Sequence, residues 1–276
     1  MVSKSQSQSK IPESVSYEGS ILFFHRYGQG SKNILLFHGF GQDHKAFQSW
    51  IDVVKTEYTL FVFDLFFHGE SIWPNRQALE KKDWKEIISL LLQKEGITKF
   101  DLAGFSMGGK FALATLEAFP ERTESIFLLA PDGIKTNFWY SLATYPIAFR
   151  KLFKSMINRP QRFKAIENFA VKVRLIDKGI VRFIESQMDT PEKRERVYNA
   201  WVVFRHLKFD MRAIANILNS NKIQTVVIVG KYDKIITTKN MDRLLKKLDR
   251  YKLEILETGH NGVIQESIKV LGKLSV

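Results

Sequence analysis

Phe100-Asp-Leu-Ala-Gly-Phe-Ser-Met-Gly-Gly109 is the stretch on which the reading of this chain turns. An apolar run stops at Gly104-Phe105-Ser106-Met107-Gly108, a G-x-S-x-G pattern, and residues 110–119 continue with helical periodicity. Strand, serine and helix in that succession demand a very tight turn. The serine backbone is strained there, and the flanking glycines keep neighbouring side chains out of the way. The hydroxyl then projects from the end of a sheet, where a base can reach it. Ser106 is therefore a candidate nucleophile rather than an ordinary turn serine.

Working outward, apolar runs rich in Val, Ile, Leu and Phe recur at 21–27, 34–37, 59–65, 100–103, 125–130, 226–229 and 253–256. Most are continuous rather than alternating, the pattern of strands covered on both faces in a parallel sheet. Helical stretches around 46–54, 83–95, 110–119, 241–248 and 263–271 lie between them, which predicts an α/β fold. The alternation breaks at 134–212, where aromatic and basic residues recur at three- and four-residue spacing and no strand is evident. Thr190-Pro191-Glu192 is a helix start, with a capping hydroxyl, proline in the first turn and an acid beside it. The expected organisation is a disordered polar tail at 1–15, a core made of 16–133 and 213–276, and an all-helical lid at 134–212.

Composition narrows the chemistry. A chain of 276 residues, 45% hydrophobic, has room for one large core with an insertion. It has no cysteine, which excludes disulfides, thiolate metal sites and cysteine nucleophiles. The first fifteen residues lack an apolar leader segment, and no later stretch has the length of a membrane span, so the expected compartment is cytoplasmic. Net charge is +13, with 17 Lys+Arg against 7 Asp+Glu in 134–212, so the lid carries most of it.

A serine hydroxyl needs an adjacent base, and the base an orienting acid. His260, in Glu257-Thr-Gly-His-Asn-Gly262, follows the last predicted strand, and Asp233, in Val229-Gly-Lys-Tyr-Asp-Lys234, follows the one before it. Both would share the sheet edge with Ser106. Asp132, in Ala130-Pro-Asp-Gly133, is a rival acid, although Ala-Pro-x-Gly reads naturally as a turn into the lid. His38-Gly39-Phe40-Gly41 closes another strand, and the backbone N–H groups of Phe40 and Met107 are candidate donors to an oxyanion.

These residues resemble the α/β-hydrolase superfamily from about residue 18 onward. The motif order is His38-Gly39-Phe40-Gly41, Asp64 with His68-Gly69-Glu70-Ser71, the Ser106 turn, Asp233 and then Gly259-His260. The resemblance implies an eight-stranded, mostly parallel sheet flanked by helices, a cap inserted after the sixth strand, and a Ser106–His260–Asp233 triad. Phe66 and Phe67 depart from the pattern: family members usually carry proline or arginine and then glycine there. An extra aromatic is thus expected at the pocket.

The remaining histidines are expected to be structural or peripheral. His38 and His68 sit in motif turns, His44 on the surface, His25 in an early strand and His206 in the lid. His-x-x-x-His spacing is absent and the acids do not cluster with histidines along the chain, so no metal site is expected, and no cofactor either. The lid segment Phe138–Met156 mixes aromatics with cations. Its plain reading is a helix packing its aromatics on the core. Its functional readings are an apolar gate with a cationic rim for an anionic carrier or substrate, or docking on an anionic membrane surface. No nucleic-acid motif is present. The expected activity is a serine hydrolase cleaving a carboxylic ester or thioester with an apolar acyl group. The same residues would also serve a C–C bond hydrolase or lyase, or a triad-retaining small-molecule sensor.

Overall fold

The computed structural model describes residues 12–74, 77–135, 138–159, 161 and 187–271. Eight strands make one sheet: β1 (Glu13–Tyr17), β2 (Ser20–Tyr27), β3 (Lys32–Phe37), β4 (Tyr58–Phe63), β5 (Phe100–Phe105), β6 (Thr123–Leu129), β7 (Gln224–Gly230) and β8 (Lys252–Leu256). Their order is β1-β2-β4-β3-β5-β6-β7-β8. β2 is antiparallel to β1 and β4, and every other pairing is parallel. All of β5 and the last four residues of β3, β4 and β6 are buried, as strands covered on both faces must be.

The strand order dictates where the helices go. The described helices are α1 (Gln48–Val54), α2 (Lys81–Lys94), α3 (Gly108–Ala118), α4 (Phe138–Thr144), α5 (Ile147–Asn158), α6 (Pro191–Val203), α7 (Met211–Ser220), α8 (Thr238–Leu245) and α9 (Val263–Leu271). The step from β3 to β4 runs one way across the sheet, and the later steps run the other way. Right-handed crossovers therefore send α1 to one face and α2, α3 and α8 to the opposite one. α1 packs on α9, while α2 packs on α3, α3 on α7 and α7 on α8. A fully buried tryptophan joins two of these pairs, α1 with α9 and α2 with α3: Trp50 Nε1 donates to Ser267 Oγ (2.8 Å) and Trp84 Nε1 to Thr115 Oγ1 (2.9 Å).

The reversal of direction falls at the carboxyl ends of β3 and β5. Such a switch point is where open α/β sheets bind ligands. The loop after β3 carries Phe40, and the turn after β5 carries Ser106.

Two sequence expectations shift. β1 begins at Glu13, so the expected tail to residue 15 is too long; residues 1–11 lie outside the described residues. Only Val15 of β1 is buried, which is why an edge strand this polar escapes a search for apolar runs. The expected lid boundary at 212 falls inside α7, whose Met211, Ile214, Ala215 and Leu218 belong to the main core. The described parts of 134–212 hold helices joined by turns, with no strand among the described residues, and residues 136, 137, 160 and 162–186 lie outside the description. Thr190 caps α6 as expected, its hydroxyl accepting from the Lys193 amide at 3.3 Å. Phe153, Ile157, Met188 and Val197 form a small second core, and Phe40 packs against both it and the main one. No described helix is long and apolar enough to cross a membrane.

Trp84→Ala removes a fully buried indole that also meets Phe37 and Phe111 edge-on. It is expected to cost about 3–5 kcal/mol in urea unfolding. Trp84→Phe should cost clearly less, since Thr115 still donates to the Phe111 carbonyl.

Candidate active site

The turn between β5 and α3 is built by what its glycines leave out. A Cβ on Gly104 would lie 2.6 Å from the Gly108 carbonyl oxygen, and one on Gly108 would lie 2.0 Å from that of Phe37. With both absent, α3 seats directly against the ends of β3 and β5. Ser106 takes φ +50°, a left-handed backbone that costs a non-glycine residue of order 1–2 kcal/mol. Hydrogen bonds hold it there: the Ser106 amide donates to Leu129 (2.9 Å), and its carbonyl accepts from Gly109 (2.9 Å) and Asp132 (2.8 Å).

His260 reaches this serine from the loop after β8. Its Nε2 lies 3.0 Å from Ser106 Oγ, and its Nδ1 lies 2.6 Å from Asp233 Oδ2. Phe105 lies beside the imidazole, ring centroids 5.0 Å apart. The Asp233 carboxylate is fully buried, and its other oxygen accepts the amides of Ile235 (2.8 Å) and Ile236 (2.9 Å). An ionised carboxylate so satisfied holds the ring with Nδ1 protonated and leaves Nε2 free to accept from the hydroxyl. The structure thus brings together Ser106, His260 and Asp233.

Asp132 does not join them. It lies 3.1 Å from the Lys110 ammonium and accepts the Gly133 amide at 2.7 Å. Lys110 is 7% exposed and also sits over the Tyr140 ring, 4.2 Å from its centroid. Burial works to lower the Lys110 pKa, but Asp132 and Tyr140 outweigh it and the net shift is upward. This buried cation, in the first turn of α3, ties the Ser106 turn to the first helix of the lid segment. The sequence reading missed it because Lys110 looks like any helix lysine.

The loop after β3 places Phe40. The Gly39 amide donates to Gln42 Oε1 (2.9 Å) and Gln42 donates back to the Gly39 carbonyl (3.3 Å), closing a tight turn. Gly41 follows at φ +77°, where a side chain would be strained. Among the described residues, neither the Phe40 nor the Met107 amide has a hydrogen-bond partner. His38 anchors this loop: its Nε2 accepts the Leu65 amide (3.0 Å) and its Nδ1 donates to the Gly39 carbonyl (2.7 Å). His68 Nδ1 donates to the Phe66 carbonyl (3.0 Å).

The two phenylalanines that break the family pattern differ. Phe66 is buried against Trp73, whereas Phe67 packs on Phe204 at φ +68°, which explains why glycine is usual at that place. His44 is not a surface residue; it is half-buried, and its amide and Nδ1 both contact Asp64 Oδ1. His25 lies against the same carboxylate, so the expectation that acids and histidines do not cluster fails. The chain folds three distant segments onto one point. His206 pairs with Glu80, at the start of α2. A surface cleft of about 320 Å³ between Tyr17, Trp73, Glu80 and Arg205 includes none of Ser106, His260 and Asp233.

With this geometry in view, sequence comparison is decisive for family. Residues 32–267 match the model of the alpha/beta hydrolase fold family. The chain belongs to that family. Two curated relatives are similar over part of their length. One is Lipase 1 of Psychrobacter immobilis, 24% identical over 75% of this chain and 65% of its own. The other is the dihydrolipoyllysine-residue acetyltransferase component of the acetoin cleaving system of Pseudomonas putida, 32% identical over 47% of this chain. The chain covers only 35% of the latter and just under two thirds of the former. A thermophilic esterase from Thermogutta terrifontis superposes with TM-score 0.68 at 18% identity, over 96% of this chain and 97% of the esterase. That likeness speaks to the fold alone.

Burial lowers the pKa of His38 to about 4 and of His68 to about 3. Unfolded, both titrate near the ordinary value of about 6.5. Below that pH the unfolded chain binds protons that the folded chain refuses, so stability falls as pH drops from about 6.5 towards 4. Unfolding free energies across that window should show uptake of up to about two protons. His68→Phe should remove about one of them.

Proposed function

We infer that this hydrolase-fold protein is a serine hydrolase acting on a carboxylic ester or thioester with an apolar acyl group. The observation that carries the reading is the hydrogen-bonded chain from Ser106 through His260 to Asp233, at 3.0 and 2.6 Å. Ser106 Oγ attacks the acyl carbonyl while His260 Nε2 takes its proton. Asp233 holds the imidazole in the productive tautomer and stabilises the imidazolium. The negative charge that builds on the carbonyl oxygen is met by the amides of Phe40 and Met107. Each such donor is worth about 10²–10³ in rate. His260 then protonates the leaving alcohol or thiol, and the same base activates water to release the acid from Ser106. The residues named need no cofactor for these steps.

The lid segment supports the substrate class. Ile147, Phe149 and Leu152 of α5 are exposed beside Arg150, Lys151 and Lys154, an apolar surface with a cationic border. Such a border draws anionic substrates, or an acidic carrier of the acyl group, towards the lid segment. The effect is screened by salt over about 8 Å at physiological ionic strength.

The test is turnover of a graded series of acyl p-nitrophenyl esters and matching acyl thioesters, at low and high salt. Ser106→Ala should reduce kcat/KM by about 10⁴–10⁶, and Asp233→Asn by about 10⁴. Asp132→Asn should change it far less. Anionic thioesters should lose rate as salt rises, and neutral esters should not. Absence of Ser106-dependent turnover across the whole series would overturn this reading in favour of C–C bond cleavage or ligand sensing.

A further inference from the structure

Between residues 134 and 166 the chain carries seven Lys and Arg and no Asp or Glu. α5 lies in the middle of this stretch and is packed on one side. Phe153 and Ile157 turn into the small lid core, where the Phe153 ring lies 5.4 Å from that of Tyr198 and 5.7 Å from that of Trp201, both on α6. The other side is exposed at Ile147, Ala148, Phe149, Lys151, Leu152 and Lys154. Ile147, Phe149 and Leu152 are 64%, 43% and 47% exposed. No other described helix exposes more than one large apolar side chain. Single exposed apolar residues need no explanation, but three on one helix do.

The exposed side divides into two stripes. At about 100° per residue, Phe149, Leu152 and Ala148 adjoin one another, and Lys151 and Lys154 run beside them with Ile147 between. Arg150, half-buried, borders Lys154 on the side towards the lid core. None of these three cations has an acid partner among the described residues; Lys154 lies over the Tyr198 ring, 5.7 Å from its centroid. On α6, by contrast, Lys193 pairs with Asp189 at 3.0 Å. Apolar side chains and unneutralised cations thus share one outward face.

We propose that the exposed face of α5 docks the protein on the surface of an anionic lipid bilayer. The helix lies in the plane of the interface, with Phe149 and Leu152 entering the boundary between headgroups and acyl chains. Lys151 and Lys154 lay their stems along the same boundary and hold their ammonium groups among the lipid phosphates. A protein partner fits this face less well. A stable protein interface takes about 20–30 residues a side and a matching shape, whereas α5 offers six exposed residues on a convex surface. A bilayer needs no matching shape, and its hold grows with apolar area and with cations, the two things this face supplies. An acidic carrier would use the cations and leave Phe149 and Leu152 in water. The docking gives the lid segment a partner, and it stands whether or not Ser106 is a nucleophile.

The experiment sediments the full chain with vesicles of phosphatidylcholine, alone or mixed with phosphatidylglycerol. Wild type should partition onto the mixed vesicles at low salt and far less onto phosphatidylcholine, and 1 M salt, which screens charge within about 3 Å, should weaken it. Lys151→Gln with Lys154→Gln should lose about 20-fold, from about fivefold per cation. Phe149→Ser with Leu152→Ser should lose at least about tenfold. Leu90→Ser, which changes an exposed residue of α2, should bind as wild type does. So should Ser106→Ala, which separates docking from catalysis. The chain has no cysteine, so Phe149→Cys and Leu90→Cys each take a single environment-sensitive dye. Its emission should shift to the blue on mixed vesicles at Phe149 and stay unchanged at Leu90, a readout that decides even if a paired variant fails to fold. No binding to mixed vesicles, or binding that survives both paired variants, would overturn the proposal. So would equally tight binding to soluble polyglutamate that the paired serine variant retains, or a dimer of this chain that Leu152→Ser abolishes.

Discussion

The left-handed backbone at Ser106 is the constraint on which the rest of the site depends. A strand buried along its whole length runs into a helix with a single residue at φ +50° between them. That conformation is uphill for any side chain but glycine, so it persists only because its surroundings leave no alternative. Gly104 and Gly108 admit backbone contacts that any Cβ would forbid, and the Ser106 amide and carbonyl are tied to Leu129, Gly109 and Asp132. Relaxing the turn would lift α3 off the sheet. The strain therefore holds one hydroxyl at the sheet edge, within 3.0 Å of His260.

What surrounds that hydroxyl is arranged by buried charges as much as by packing. Asp233 is held by two amides and one imidazole. Lys110, in the first turn of α3, is buried with Asp132 and Tyr140, so the chain entering the lid segment is fastened beside the Ser106 turn. Asp64, at the end of β4, collects two histidines and two amides. Breaking one partner away from such a group leaves a charge stranded in a poor solvent, which is far costlier than the pair is worth. These clusters act as fixed points between segments distant in sequence. Phe40 links the layers, its ring shared by the main core and the small lid core.

Fold class and the members of the hydrogen-bonded Ser106–His260–Asp233 chain were legible in the amino-acid order because each leaves a local mark. Both-face burial gives continuous apolar runs, the tight turn demands G-x-S-x-G, and strand-end loops carry Asp233 and His260. The marks fail where the physics is not local. β1 has one buried residue and reads as polar chain. α7 reads as lid by position but packs as core. Lys110 carries no motif, and its burial follows only from Asp132 and Tyr140 arriving opposite it. Phe67 lies between: the sequence flags a missing glycine, but only the backbone, at φ +68°, says what the glycine is usually for.

By itself the sequence determined the α/β architecture, the site of the strained serine and the set of residues able to serve it, since periodicity and turn chemistry act over neighbouring residues. Tertiary structure decided which acid faces His260, because Asp132 and Asp233 both follow strands and only their partners distinguish them. It also decided that His25, His44 and Asp64 share one point, as strand order and crossover handedness bring together segments that no sequence spacing connects.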